Sequence, residues 1–454
     1  MSEAAAAKSR YSGRRLSSGA AWLLVFLLFA AYVFSFIDRI ILGLLVEPIK
    51  AEFALSDTQI GLLQGLAFAL FYTICGLPIG WAVDRFARIP IAAAGVALWS
   101  GMTALCGFTQ TFGQLFLARI GVGVGEATLS PAAYSLIADA FPREKLGKAF
   151  AVYNLGSSMG GGLAFILGGL VVSFAAQSDG LVLPGLGLIE GWRLTFLVVG
   201  IPGLLLAALM ALFPEPRRAA DPTNSPPPPI GATITFWRRA WRYFVPLHLA
   251  MAFVNAVLFG TVSWIAPYLI RAHDMALGSI GWLVGLTLIA GGLVGTLGGG
   301  AIGDAAAQRD GTFGRVRSAA WFVLPSVAGF AAIPFVSGSP VLLGLMLATA
   351  FAGLMAPLGN ISAALQEQTP PRMRGVVAAF YLFVLNLLGI TLGPLVIAAT
   401  ADTLFLDQPD GIGKAMALTL PPLILAAAGC FWLSAQAIAT PAHIRRLKLH
   451  GAVA

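Results

Sequence analysis

Charge is what this chain has least of. Only 11% of its 454 residues are Asp, Glu, Lys or Arg, against 58% hydrophobic, and the mean hydropathy is +0.85. Soluble domains carry about 25% charged residues, so the shortage excludes an ordinary soluble fold and makes a lipid bilayer the solvent. Cysteine and histidine are nearly as scarce. Cys75, Cys106 and Cys430 lie in apolar stretches without ligand spacing, which leaves nothing to support a disulfide framework or a metal site. With four histidines and no nucleophile–base spacing, a membrane-embedded lipid enzyme is disfavoured. No catalytic residue, metal or cofactor is expected.

The apolar residues that are present divide into stretches long enough to cross a bilayer, about 20 residues each. Twelve spans are predicted, at 20–46, 58–83, 90–109, 112–138, 147–176, 193–213, 244–271, 279–305, 317–336, 340–367, 375–402 and 414–438. The first is too long for the core of a cleavable signal and lacks a small-residue cleavage site. An all-α membrane protein follows. Every second loop is basic, and with the two tails these loops hold 22 of the 28 Lys and Arg. The positive-inside rule then predicts that both termini are cytoplasmic. The net charge of +8 is a topology signal rather than a nucleic-acid patch.

The longest polar interruption, from Pro214 to Arg239, includes four consecutive prolines, Pro226 to Pro229, which favour an extended linker. It parts six spans from six. The predicted organisation is a tail at 1–19, a bundle at 20–213, a linker at 214–243, a second bundle at 244–438 and a tail at 439–454. Trp237 and Trp241, one helical turn apart among arginines, read as an interfacial anchor. The halves echo each other. Gly80-Trp-Ala-Val-Asp84-Arg85-Phe-Ala-Arg88 recurs as Gly300-Ala-Ile-Gly-Asp304, a shift of 304 − 84 = 220. Pro142-Arg143-Glu-Lys-Leu-Gly147 recurs as Pro371-Arg372-Met-Arg-Gly375, a shift of 375 − 147 = 228. Two echoes at matching loops imply a duplicated six-span unit.

Gly80 to Arg88 resembles the loop 2–3 signature of the major facilitator superfamily, and Arg119-Ile-Gly-Val-Gly resembles its fourth-helix motif. The resemblance implies two six-helix bundles that rock about a central cavity (the major facilitator fold), working by alternating access. Arg119 to Ala127, Ser130-Pro131, Phe141 to Gly147 and Phe36-Ile-Asp38-Arg39 look most like the spinster lipid transporters. That narrower likeness implies an amphipathic lysolipid or sphingoid-type substrate and proton coupling through an acidic residue of the first helix with the Arg and Glu of the fourth. These are Asp38, Arg119 and Glu126 here. A drug or organic-anion exporter of the same superfamily is the alternative.

Four ionisable residues lie deep in spans: Asp38, Arg39, Arg119 and Glu126, with a formal sum of zero. A charge at mid-bilayer costs about 2.5–3.5 kcal/mol, so each needs a partner, a wet cavity or a task. Arg119 and Glu126, seven residues apart, share a helix face across roughly 10 Å of rise. They are read as a pair, either coupling protons or permanently bracing helices. Adjacent residues differ by about 100°. Asp38 is therefore expected to face Arg119, and Arg39 a helix interface or the cavity wall. Arg119 also suits two-point binding of an anionic headgroup.

Glu126, Tyr153, Asn154, Asn255, Asn360 and Asn386 complete the expected substrate-binding set, with Ser263 and Ser362 as further polar groups at depth. Glu367 is expected at a cytoplasmic helix end. Asp84, Arg85, Arg88 and Asp304 are expected to form a cytoplasmic gate, although Asp304 lacks the arginines that follow Asp84. Gly121, Gly123 and Gly125, and the runs at 160–162 and 298–300, fit close helix packing, with a lateral lipid opening as the other reading of the two runs. The expected partners are a lipid or other amphipathic substrate and the bilayer, with protons as the coupling ion and no nucleic acid. A monomer in a bacterial inner membrane is expected.

Overall fold

The computed structural model describes residues 16–141, 143–177, 181–183, 187–189, 191–216, 230–335, 339–370 and 373–439. The basic residues of both tails, Pro226 to Pro229, Arg372, and the side chains of Asp84, Arg143, Lys145 and Arg374 fall outside this description.

Helices account for nearly everything described. They are α1 (Ser18–Leu44), α2 (Val46–Phe53), α3 (Asp57–Gln64), α4 (Leu66–Arg85), α5 (Arg88–Cys106), α6 (Phe112–Glu126), α7 (Leu129–Ala140), α8 (Arg143–Gln177) and α9 (Gly191–Ala211). After the linker come α10 (Ile230–Arg239), α11 (Trp241–His273), α12 (Leu277–Val323), α13 (Pro325–Ala331), α14 (Pro340–Glu367), α15 (Arg374–Leu404) and α16 (Gly411–Ala439). An unexpected addition is a short antiparallel hairpin, Leu181–Leu183 with Gly187–Ile189, in which Leu181 opposes Ile189.

Among the described residues, ten helical stretches are long and apolar enough to span a membrane. One of them, Leu277–Phe335, holds both the eighth and ninth expected spans. The chain reverses inside it at Gly311, whose φ of 63° only a residue without Cβ adopts readily. The fourth expected span is missing from the ten because it is broken into α6 and α7 at Ala127–Thr128. Pro131 explains the break: it has no N–H, and its ring would clash with the carbonyl four residues back, that of Ala127. With these two resolved, the twelve-helix architecture stands.

The helices cluster into two compact units. The first contains α1, α2 and α4 to α9, and the second contains α3 and α10 to α16. In the first, α1 packs on α8, and α5 on α6 and α9. Gly160 lies against α1, where a Cβ would come within 2.7 Å of the Val33 carbonyl oxygen, so packing accounts for this glycine. In the second, α12 packs on α14, and α11 on α15 and α16.

The second predicted span is shared between the units, because α3 packs on α15. Ser56 and Gln59 close a capping box at its start. The Thr58 amide and hydroxyl both donate to Asp402 (2.7 and 2.6 Å), and Arg271 grips Asp57 through two bonds of 2.7 and 2.9 Å.

Candidate functional site

Four deep charges of the first unit form two ion pairs between α1 and α6. Asp38 lies 3.2 Å from the Arg119 guanidinium and accepts a 2.8 Å hydrogen bond from Thr103 on α5. Glu126 accepts from Arg39 Nε and from the Ser35 hydroxyl, both at 2.6 Å. Ser35 and Arg39 are four residues apart and share one face of α1, whereas Asp38 is rotated about 100° from Arg39. One helix thus delivers a cation to Glu126 and an anion to Arg119. The Asp38–Arg119 contact is the expected one.

The expected pairing of Arg119 with Glu126 is not what the structure shows. Nearly two turns separate them on α6, and each pairs instead with a different residue of α1. Arg39 also differs from expectation, since it reaches into the cluster as the partner of Glu126. Ser35 and Thr103 were missed as well. The Ser35/Arg39 spacing of four was the legible signal for one face directed at one acceptor.

The cluster is sealed. Asp38, Arg119, Glu126, Ser35 and Thr103 are each at most 1% exposed, while the Arg39 side chain retains 8%. The Arg39 guanidinium sits among the rings of Phe36, Phe68 and Tyr72, 4.8 to 5.1 Å from their centroids, a cation–π enclosure that holds it in place. Arg119 Nε and Glu126 Oε1 have no hydrogen-bond partner among the described residues. Unpaired buried polar atoms are rare, and they concentrate where a structure does chemistry or holds an unseen partner. Close packing around Gly125 encloses the cluster further: a Cβ there would stand 2.6 Å from the Trp99 amide nitrogen on α5.

Beside the cluster lies a layer of tyrosines. Tyr153 stacks on Tyr32 with centroids 4.6 Å apart, and Tyr134 meets it edge-on. Tyr134 donates to Asn154 at 3.2 Å. Tyr153 is fully buried, so among the expected binding residues it packs, whereas Asn154 and Tyr134 stay exposed.

The polar residues expected in the second unit each hold backbone. Asn255 donates to the Leu385 carbonyl across α11 and α15 (3.2 Å), and Asn360 donates to the Gly299 carbonyl across α12 and α14 (2.7 Å). Asn386 is half-buried and bonds to the Leu382 carbonyl of its own helix. Ser263 accepts from Gln64 through its carbonyl, and the exposed Ser362 donates to Leu358.

The gate candidates divide sharply. Arg88 is fully buried and saturated: it donates to Glu215 (2.8 Å), the Pro216 carbonyl (2.9 Å), the Ser135 carbonyl and hydroxyl (3.1 and 3.0 Å) and Asp139. Arg85 is exposed, with its guanidinium 4.1 Å from the Trp81 ring. Asp304 has a partner after all. Arg315 lies 2.6 Å from it and 3.2 Å from Glu367, the last residue of α14. The arginine absent from the loop arrives later, at the start of the following helix. Arg315 matches Arg88 (315 − 88 = 227) and Glu367 matches Asp139 (367 − 139 = 228), the repeat shift already seen in the loops. Asp139 and Glu215 were the clamp residues that sequence reading left out.

Known proteins share the fold. The Major Facilitator Superfamily model matches residues 28–394. An MFS-type efflux pump of Mycolicibacterium smegmatis is 29% identical over 91% of this chain and 92% of its own length. The Drosophila melanogaster protein spinster is 29% identical, but over 43% of this chain and 30% of its own. Among solved structures, a bacterial homologue of the human lysosomal transporter spinster, inward-facing and unoccupied, superposes with a TM-score of 0.79 at 26% identity. It covers 94% of this chain and 100% of that one. The chain is a multi-pass membrane protein that belongs to the Major Facilitator Superfamily, a family of transporters rather than enzymes.

Proposed function

We propose that the protein is a proton-coupled secondary transporter working by alternating access on an anionic amphipath of the lysolipid or sphingoid type, in a bacterial plasma membrane with both termini cytoplasmic. The observation that carries this reading is the pair of crossed ion pairs sealed between α1 and α6. A carboxylate held by one arginine and one hydroxyl releases that arginine when it takes a proton. In Glu126 the released partner is Arg39, the cluster's one partly reachable cation, beside Tyr32 and Tyr72. Arg39 therefore replaces the fully enclosed Arg119 as the group that meets an anionic headgroup. The aromatic layer suits the apolar part of the same molecule.

Asp38 and Arg119 keep their own pair while this exchange happens and fix the angle of α1 on α6. Spinster relatives support the lipid. A relative that matches over nearly the whole chain is an efflux pump, which supports the second reading, export of drugs or organic anions. Purified protein in proteoliposomes under an imposed proton gradient tests both. Gradient-driven movement of a labelled lysophospholipid, lost in Glu126→Gln, is expected. Movement of cationic dyes with no competition by lysolipid supports the second reading, and transport of either that ignores the gradient removes the coupling.

A further inference from the structure

Among the described residues, most arginines of the membrane-spanning helices are matched by a carboxylate of the chain itself, with Arg85, which stacks on Trp81, and Arg309 as exceptions. Arg39, Arg88, Arg119, Arg193, Arg271, Arg315 and Arg317 each form an ion pair. The turn from α10 into α11 is different. Arg238, Arg239 and Arg242 cluster there, and no Asp or Glu occurs between Asp221 and Asp274. Among the described residues, no ion pair involves Arg238 or Arg242.

The geometry of this turn is directional. Phe236, Ala240, Tyr243 and Phe244 are buried, at 1%, 3%, 0% and 0% exposure, and seal its inner side. The buried edge is fixed by rings: Trp237 meets Phe380 of α15 at 4.7 Å and His248 of α11 at 5.3 Å. Arg238, Arg239 and Arg242 point outward and are exposed. Trp241 is half exposed between them, with the Arg242 guanidinium 5.7 Å from its ring. A rigid platform thus presents the guanidinium groups of Arg238 and Arg242, with no carboxylate partner among the described residues, and one indole where an apolar helix enters the bilayer. Indole rings settle at headgroup level, and guanidinium forks match phosphate oxygens.

We propose that Arg238 and Arg242, four residues apart across this turn, bind the phosphate of an anionic phospholipid, with Trp241 packed against its glycerol region. The site rests on the membrane assignment alone and is independent of the transported substrate. It lies on α10 and α11 of the second unit, packed on α15 through Trp237.

The test uses the full chain in nanodiscs of phosphatidylcholine with a minor fraction of phosphatidylglycerol, with the retained lipid counted by native mass spectrometry. A basic residue near an anionic surface contributes about fivefold in affinity, so two contribute about 30-fold. Enrichment of phosphatidylglycerol is expected in the native protein, with loss of that order in Arg238→Gln/Arg242→Gln. Retention is expected in Arg238→Lys/Arg242→Lys and in Arg317→Gln, whose guanidinium has its own partner in Asp310. High salt should weaken the enrichment in the unmutated protein, a readout that needs no variant. Equal retention of the two lipids by the native protein, or undiminished enrichment in the glutamine variant, overturns the proposal.

Discussion

In the first unit, Arg88 ties the end of α7 to the segment after α9 through Asp139 and Glu215; in the second, Arg315 ties the end of α14 to Asp304. The two arginines are related by the repeat, so the clamp was inherited by both halves. At depth the halves part. The shift of 228 carries Arg119 and Glu126 to Leu347 and Leu354, each 1% exposed. Replacing a buried ion pair by well-packed apolar residues is often neutral or stabilising. The second unit shows that helix packing of this kind is complete with leucine. The charges of the first unit are therefore not a requirement of the fold, which leaves them free to be explained by transport.

The strongest way to break this comparison is to move a charge across it. Leu354→Glu places a carboxylate where no arginine waits, and burying an unpaired charge costs several kcal/mol. Severe loss of thermal stability, or failure to accumulate in the membrane, is expected. Near-native unfolding would show that the second unit tolerates depth charges and would remove the contrast.

Arg119→Ala ranks next. It leaves Asp38 buried with Thr103 alone, and breaking a buried pair costs about 3–5 kcal/mol. The double variant Asp38→Asn/Arg119→Met removes both charges and should recover most of that stability. Thermal unfolding in detergent reads both. If the double variant is stable and still moves protons with substrate, the Asp38–Arg119 pair is a brace and the coupling rests on Glu126 alone.

Glu126→Gln sharpens the comparison on the functional side. The amide still accepts from Ser35 but no longer changes charge with pH, so Arg39 stays released. Gradient-driven uptake should fall at least about tenfold, equivalent to 1.4 kcal/mol in the coupled step, while exchange without a gradient persists. Proteoliposome flux with and without a proton gradient separates the two. Retention of full gradient dependence would transfer the proton to another group.

Much of this was legible in the chain. Twelve apolar spans, the two repeat shifts and the depth of Asp38, Arg39, Arg119 and Glu126 follow from hydropathy and spacing. The Asp38–Arg119 pair was also within reach, because one helix face per residue is fixed by the 100° step. The partner of Glu126 was not. Periodicity places Arg119 and Glu126 on the same face, but it cannot say which side chain of a neighbouring helix enters the gap between two residues about 10 Å apart. The Arg88 clamp was hidden for a related reason. Its partners Asp139 and Glu215 are 51 and 127 residues away and meet it only when α5, α7 and the end of α9 are packed. Breaks inside spans were partly readable: Pro131 marks one, while the shared second span required the packing of α3 on α15 to be seen.

The mildest test compares the clamps themselves. Arg88 is fully buried and makes five hydrogen bonds, to two carboxylates, two carbonyls and a hydroxyl, whereas the Arg315 side chain keeps 13% exposure beside carboxylates that are 65% and 38% exposed. Exposed pairs are worth about 0–1 kcal/mol, buried ones several times that when a partner is removed. Arg88→Ala should therefore lower stability by about 3 kcal/mol and Arg315→Ala by no more than about 1 kcal/mol. Equal effects in paired unfolding measurements would mean that water reaches both clamps alike, and that their inherited symmetry extends to energetics. The expected inequality instead marks Arg315 as the clamp that opens at lower cost, because its carboxylates already face solvent when it lets go.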